Sequence, residues 1–455
     1  MERSSLPHVV IIGGGFAGIY AARHLRNCPV RVTIIDRKNH HTFQPLLYQV
    51  ATAGLSPGEI AVPIRAIVRD YRNTEVLMAE VTDFDLPNKK VITDDGILDF
   101  DYLIVAAGAT HAYFGHEEWA PLAPGLKTVE DATEIRRRIL LAFEIAERQA
   151  RLDRKQVPLN FVIVGGGPTG VEMAGALSEI ARRVMADDFR SIDPKNARII
   201  LVEGSPRILG AFPPDLSASA ERQLKKLGVD TMTNAMVTEI GRDFIRVGDR
   251  VIPAAVILWG AGVAASPLGR KLGVEVDRAG RPIVNPDLSI PGHPNVFVAG
   301  DLAAAKREDG RPVPGVAPAA IQMGTYAAKT IAADLEGEPR KPFSYWDKGT
   351  LATIGRNAAV GDLGIVHLTG FLAWLAWLLI HIYFLIGFRN RIRVLAEWTW
   401  QYVTFRRGAR LITGESDWIV PPNGQIHHQQ TTPEVHEHQH QTPGYVATEE
   451  HRTPR

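Results

Sequence analysis

The chain opens on an unbroken apolar run, Val9-Val10-Ile11-Ile12, and such a β-branched stretch without alternation predicts a parallel strand buried on both faces. Glycines follow at once, then helical spacing from Phe16 to Arg26, then a strand from Arg31 to Ile35 that ends on Asp36. The same order returns at Leu159 to Glu203, with Phe161-Val162-Ile163-Val164, a second glycine turn, a helix from Pro168 to about Met185 and a strand from Ala197 to Val202. Two such units about 150 residues apart predict two nucleotide-binding domains. Between them lie Tyr102 to Thr110, a buried strand ending in small residues, and a charged amphipathic helix from about Thr133 to Leu152. After them come the strand Val256 to Trp259 closed by Gly260-Ala261-Gly262, the strand Asn295 to Asp301, and a helix from Ala319 to Leu335. The order predicts an α/β protein of two Rossmann-like domains, the second inserted in the first: residues 1–158 and 266–345 form one, and 159–265 the other.

The hydropathy then changes. From Leu363 to Phe388 there are 26 residues without Asp, Glu, Lys or Arg, among them Phe371, Trp374, Trp377, Tyr383 and Phe384, and Arg389, Arg391 and Arg393 follow. Length and hydropathy predict a segment able to span a bilayer of about 30 Å, within a membrane-anchoring helical region at 346–412, with a buried core helix or dimer interface as the alternative. Residues 413–455 lack apolar periodicity, and their His427, His428, His436, His438, His440 and His451 read as a disordered tail before a metal trap. No metal site is expected.

With 455 residues, 45% of them apolar, the chain has ample material for several cores. A net charge of +1 supplies no field for nucleic acid. Cys28 is the sole cysteine, which excludes the active-site disulfide that many enzymes with two dinucleotide folds use, and Cys28 itself reads as a packed, inert thiol after a helix. Met1 to Pro7 carry no apolar targeting core, so the globular part is expected in the cytosol.

Gly13-Gly14-Gly15-Phe16-Ala17-Gly18 follows a strand and opens a helix, and Asp36 comes 18 residues after Gly18. Gly13 allows the tight turn, Gly15 lets the backbone approach a pyrophosphate, Gly18 permits close packing and Asp36 accepts from a ribose diol. Gly165-Gly166-Gly167-Pro168-Thr169-Gly170 repeats the arrangement with Glu203 as its acid, which repels a 2′-phosphate and selects NADH, while Arg207 nearby is an opposing cation. Asp301, where the backbone leaves a buried strand, reads as a partner for a flavin ribityl hydroxyl or as a helix cap. Glu172, placed in the first turn of its helix, reads equally as a dipole acid or a proton relay, and Gln322 as a surface amide or a group facing a flavin.

The chain resembles the type II NADH dehydrogenases, single-subunit NADH:quinone oxidoreductases that pump no protons, over roughly residues 8 to 412. The resemblance rests on Asn39 to Ala51, on Ala107 to Thr110 leading to Tyr113-Phe114-Gly115, on Gly167 to Glu172 and on Ala319 to Gln322. It implies non-covalent FAD in the first fold, held by Gly13, Gly14, Gly15, Phe16, Ala17, Gly18, Asp36, Arg37, Gln44, Val81, Ala107, Gly108, Asp301, Ala319 and Ala320. It implies NADH in the second, at Gly165, Gly167, Gly170, Glu203 and Gly262, with Glu172 and Gln322 where nicotinamide, flavin and quinone meet. Electrons would pass from NADH through the flavin to a membrane quinone. It also implies a monotopic anchor at the cytoplasmic face of the inner membrane, using Trp374, Trp377, Trp398, Trp400, Tyr402, Arg406, Arg407 and Arg410, from which the long uncharged run departs toward a spanning segment. A homodimer stays open. Two other classes compete: a ferredoxin or rubredoxin reductase, which the apolar stretch disfavours, and a membrane-bound redox sensor, which two intact glycine turns disfavour.

Overall fold

A computed structural model describes residues 6–152, 158–404 and 407–414. The first strands form as the hydropathy dictates. β1 (His8–Ile12), α1 (Phe16–Leu25) and β2 (Arg31–Asp36) are followed by α2 (Leu47–Ala51), β3 (Thr74–Met78) and β4 (Tyr102–Val105). The chain then leaves through the long helix α3 (Val129–Leu152) and builds β5 (Asn160–Val164), α4 (Pro168–Glu179), β6 (Arg198–Val202), β7 (Val229–Met232) and β8 (Val256–Trp259). It returns with β9 (His293–Val298) and α5 (Ala317–Glu336). In the first sheet the order is β9, β4, β1, β2, β3, with Ser289–Ile290 on the β9 edge; in the second it is β7, β6, β5, β8, all parallel. Val9, Val10, Ile11, Phe161 and Val162 are fully buried, which accounts for the missing alternation.

Helices α1 and α5 press together backbone to backbone. A Cβ on Gly324 would lie 2.0 Å from the Ala17 carbonyl oxygen, so glycine is required there. The contact brings the glycine turn after β1 against the start of α5.

The C-terminal region is a three-stranded antiparallel sheet, β10 (Thr350–Gly355), β11 (Ala358–Asp362) and β12 (His367–Thr369), followed by α6 (Gly370–Phe384) and α7 (Phe388–Thr404). The spanning segment expected over Leu363 to Phe388 does not form. Its first residues make a turn, with Leu363 N–H donating to the Val366 carbonyl, and then strand β12. Near its end α6 stops at Phe384, where Leu385 turns extended, and Gly387 with φ +90° makes the bend before α7. What is left is 15 residues, about 22 Å long. Among the described residues no helix is long and apolar enough to cross a membrane. The expected tail beyond Gly414 and Arg406 lie outside the described residues.

Candidate active site

The two glycine turns are built alike. Gly13 has φ +100° and Gly165 φ +106°, and each donates its N–H to the strand alongside, at Ile35 and Val202. A Cβ on Gly18 or Gly170 would sit 1.9 Å from the carbonyl oxygen of Gly13 or Gly165, whereas Gly15 and Gly167 face open space. Only the third glycine of each turn, Gly15 or Gly167, thus borders room for a ligand. The acids clasp the turns: Asp36 accepts from the N–H of Gly14 at 2.6 Å and Lys38 at 2.7 Å, and Glu203 from those of Gly166 at 2.6 Å and Ser205 at 2.7 Å. The clasp fixes each carboxylate at the end of its strand and leaves lone pairs free for hydroxyl donors.

Around the first turn, Ala107 and Gly108 follow β4, and a Cβ on Gly300 would meet Ala17 and Ala320. Asp301 lies in the short turn Gly300–Leu302, and Ala319 and Ala320 are buried at the start of α5. Phe16 is buried edge-on to His41 at 5.0 Å and Phe43 at 5.7 Å. His41, which the sequence did not single out, donates from Nδ1 to the Gly14 carbonyl at 2.9 Å; burial holds its pKa down to about 4, so the ring stays neutral. Arg37 and Gln44 are exposed, and Val81 is buried at the start of the strand Val81–Asp85. Around the second turn, Gly262 has φ +95° beside the ring of Phe114. Arg207 does not reach toward Glu203's ligand side, since its guanidinium donates to the carbonyls of Phe212 and Gly210.

A cavity opens between α2, α4, β10, α6 and α7, lined by Tyr48, Glu172, Glu179, Trp377, Trp398 and Arg407 among others. Glu172 is the fifth residue of α4 and not in its first turn, which removes the dipole explanation for it. It is half-buried. Burial raises its carboxyl to about 8, against the pull of a hydrogen bond from the Thr353 backbone. Burial likewise holds the Tyr48 hydroxyl far above its ordinary value. That hydroxyl accepts from Gln49 Nε2 at 2.8 Å, and Gln49 Oε1 accepts from Trp398 Nε1 at 2.7 Å.

Gln322 does not line this cavity. Its amide is occupied by one backbone, donating to the Trp346 carbonyl at 3.0 Å and accepting from the Trp346 N–H at 2.9 Å. Several residues expected at an interfacial surface are also elsewhere: Trp374, Trp398 and Tyr402 line the cavity, and two more turn inward. Trp377 is 2% exposed, stacked on His381 with centroids 4.2 Å apart. Arg407 is buried in a 3.0 Å ion pair with Glu179 and donates to the Thr52 carbonyl at 2.7 Å, burial lowering its pKa. Cys28, partly buried, donates to the His24 carbonyl; burial raises its thiol.

Residues 7–324 match the model of the pyridine nucleotide-disulphide oxidoreductase family, and residues 347–407 that of the NDH2 C-terminal domain. Two proteins of Mycobacterium tuberculosis are similar to this chain. One, named type II NADH:quinone oxidoreductase Ndh, is 47% identical over 90% of both chains. The other, NdhA, is 45% identical over 90% of this chain and 89% of its own. The solved structure of NDH2 from Plasmodium falciparum in complex with NADH shares the fold, with a TM-score of 0.80 and 19% identity over 90% of this chain and all of that one. With two clasped glycine turns, no cysteine pair and a C-terminal domain closing a cavity on α4, the chain belongs to the type II NADH:quinone oxidoreductase branch of the pyridine nucleotide-disulphide oxidoreductases.

Proposed function

We propose that this chain is an FAD-dependent, non-electrogenic NADH:quinone oxidoreductase. The observation that carries the reading is Glu172, a half-buried carboxyl on the helix opened by the second glycine turn, lining a cavity walled by the C-terminal helices, where desolvation raises its pKa to about 8. The first turn fits FAD: Gly15 borders open space, Asp36 keeps lone pairs for a ribose diol, and Gly13, Gly14, Phe16, Ala17, Gly18, Ala107, Gly108, Asp301, Ala319 and Ala320 gather at one end of the sheet. Arg37, Gln44 and Val81 complete that set. Bound there without a covalent link, FAD supplies the two-electron carrier between NADH and quinone.

The protein's own part is orientation and proton supply. Gly167 leaves room for NADH, Gly165, Gly170 and Gly262 hold the close-packed turn around that space, and Glu203 faces the ribose. A Glu203→Ala enzyme is expected to lose about tenfold in the ratio of kcat/KM for NADH over NADPH, because a 2′-phosphate no longer meets a carboxylate. The two substrates assayed side by side measure it; an unchanged ratio removes Glu203 from selectivity. Glu172 holds a proton at pH 7 where a quinone oxygen would need one, and Gln322 fixes the segment bearing Trp346 beside α5.

The surface chemistry supports membrane attachment. Phe371, Leu372, Leu379 and Tyr383 of α6 and Trp400 and Val403 of α7 are more than half exposed, and Arg389, Arg391 and Arg393 stand on α7. Such a face suits one leaflet of a bilayer, entered from the cytoplasmic side, with cations at the headgroups.

The deciding experiment is anaerobic. The flavin absorbance of the purified enzyme should bleach with NADH and recover on adding a quinone; bleaching without recovery would move the acceptor to small iron proteins, and no bleaching would end the reading.

A further inference from the structure

Phe114 stands in a conformation that an aromatic residue rarely adopts. Its φ is +56°, in the left-handed region, and its ring is 70% exposed. Neighbours with positive φ at this junction, Gly108, Gly115 and Gly262, are glycines, for which the conformation carries no penalty. The strain has no return in core packing, since the ring lies on the surface.

The frame around it is firmly held. Strand Ala109–His111 pairs antiparallel with Val263–Ala265, the two crossings between the domains. Trp259 Nε1 donates to the Ala112 carbonyl at 3.0 Å, Tyr113 stacks on Trp259 at 5.0 Å, and the Tyr113 hydroxyl donates to the Ala123 carbonyl at 2.9 Å. These contacts dictate where Phe114 projects, which is how a strained residue is kept at a working position.

It projects over the second glycine turn's flank. A Cβ on Gly262 would come 2.4 Å from Phe114 Cζ, so the ring rests on the bare backbone there. A Cβ on Gly165 would meet Ala261 N at 2.5 Å, so Gly260-Ala261-Gly262 borders the turn directly. The first fold has the same geometry, with Ala106 O 2.4 Å from a Cβ on Gly13.

We infer that Phe114 is a binding residue for the nicotinamide dinucleotide, its exposed ring forming an aromatic wall at the junction of the two folds. The inference rests on the assignment of NADH to the second fold. A flat ring at a fixed angle offers a planar heterocycle one face to stack on, at little entropic cost because the frame already holds it.

The test uses the full-length, FAD-loaded enzyme and the variants Phe114→Gly and Phe114→Trp, with NAD+ binding measured by calorimetry, beside thermal midpoints, FAD content and steady-state kinetics. In Phe114→Gly the midpoint should hold or rise, because glycine removes the strain, while NAD+ binding weakens and KM for NADH rises about tenfold each. KM for quinone and FAD content should not move, and Phe114→Trp should restore most of the affinity. Unchanged NAD+ binding in Phe114→Gly overturns the proposal, as does a loss of affinity accompanied by a fallen midpoint and lost FAD, which would make the ring structural. If the natural enzyme binds no NAD+, the assignment of the second fold fails first.

Discussion

A Glu172→Gln enzyme is expected to reduce quinone about 100-fold more slowly, with NADH bleaching its flavin at the natural rate, and yet to be the more stable protein at pH 8. Both effects come from one half-buried, desolvated carboxyl. In an unfolded chain Glu172 releases its proton near 4.5; in the folded protein burial keeps it until about 8. Across that window the folded state binds more protons than the unfolded, so this group's contribution to stability falls as pH rises from 4.5 to 8. Glutamine has no proton to lose, and at pH 8 the variant should gain a few kcal/mol relative to its position at pH 4.5. Urea unfolding at pH 5 and pH 8 checks this. In catalysis the sign is the same: the neutral carboxyl is present below about pH 8, so the quinone step of the natural enzyme should slow as pH rises through that value, and the variant's profile should lack that limb. Natural quinone turnover with the limb retained would leave Glu172 no part in proton delivery.

Glu172 and Phe114 share a logic. In each, the residue present is less comfortable in the fold than a simple replacement, and the discomfort lies beside a place where a reactant is expected. Strain and desolvation are invisible in a sequence, because both depend on what surrounds the residue. The glycine turns were legible for the opposite reason. Gly13 to Gly18 and Asp36 are close in the chain, and the strand, turn and helix that relate them are set by local pattern. Glu203 is farther along, yet the repeat of the first unit pointed to it.

Hydropathy misled where composition was uniform but conformation was not. The run from Leu363 to Phe388 contains no charge to mark its division into turn, strand and helix; the breaks fall at Gly364 and Gly370, both at positive φ, and isolated glycines are weak signals. The cavity was harder still. Tyr48, Glu172, Trp377 and Arg407 meet from elements more than 350 residues apart, and Arg407 read as an interfacial cation because nothing local announces its partner Glu179.

Gly175→Ala is expected to be the most damaging single methyl in the molecule. The added Cβ would lie 1.6 Å from the Ile354 carbonyl oxygen and 2.7 Å from its carbonyl carbon. Both are backbone atoms, so no side chain can turn aside, and β10 must retreat from α4 by about 1.5 Å to restore van der Waals contact. That retreat carries two neighbours with it. Thr353, whose backbone N–H bonds Glu172, and Arg356, whose N–H donates to Glu179 Oε1 at 2.6 Å, lie on either side of Ile354. The Glu179–Arg407 pair then loses a donor while staying buried, a costly state for a charge. Together the overpacking and the lost bonds should destabilise the protein by about 3 kcal/mol. Quinone reduction should fall about 100-fold, the usual consequence of misplacing a reacting group by more than an ångström. FAD content and NAD+ affinity should be retained, because the second glycine turn opens α4 at Gly167, about two helical turns before Gly175, and the first belongs to the other fold. Gly58→Ala, where nothing stands within 4 Å of the new methyl, is the control and should behave as the natural enzyme. If Gly175→Ala keeps natural stability and quinone turnover, the C-terminal sheet does not position the cavity; if it loses NAD+ affinity as well, α4 transmits the displacement to the nucleotide turn, and the two half-reactions are coupled through that helix.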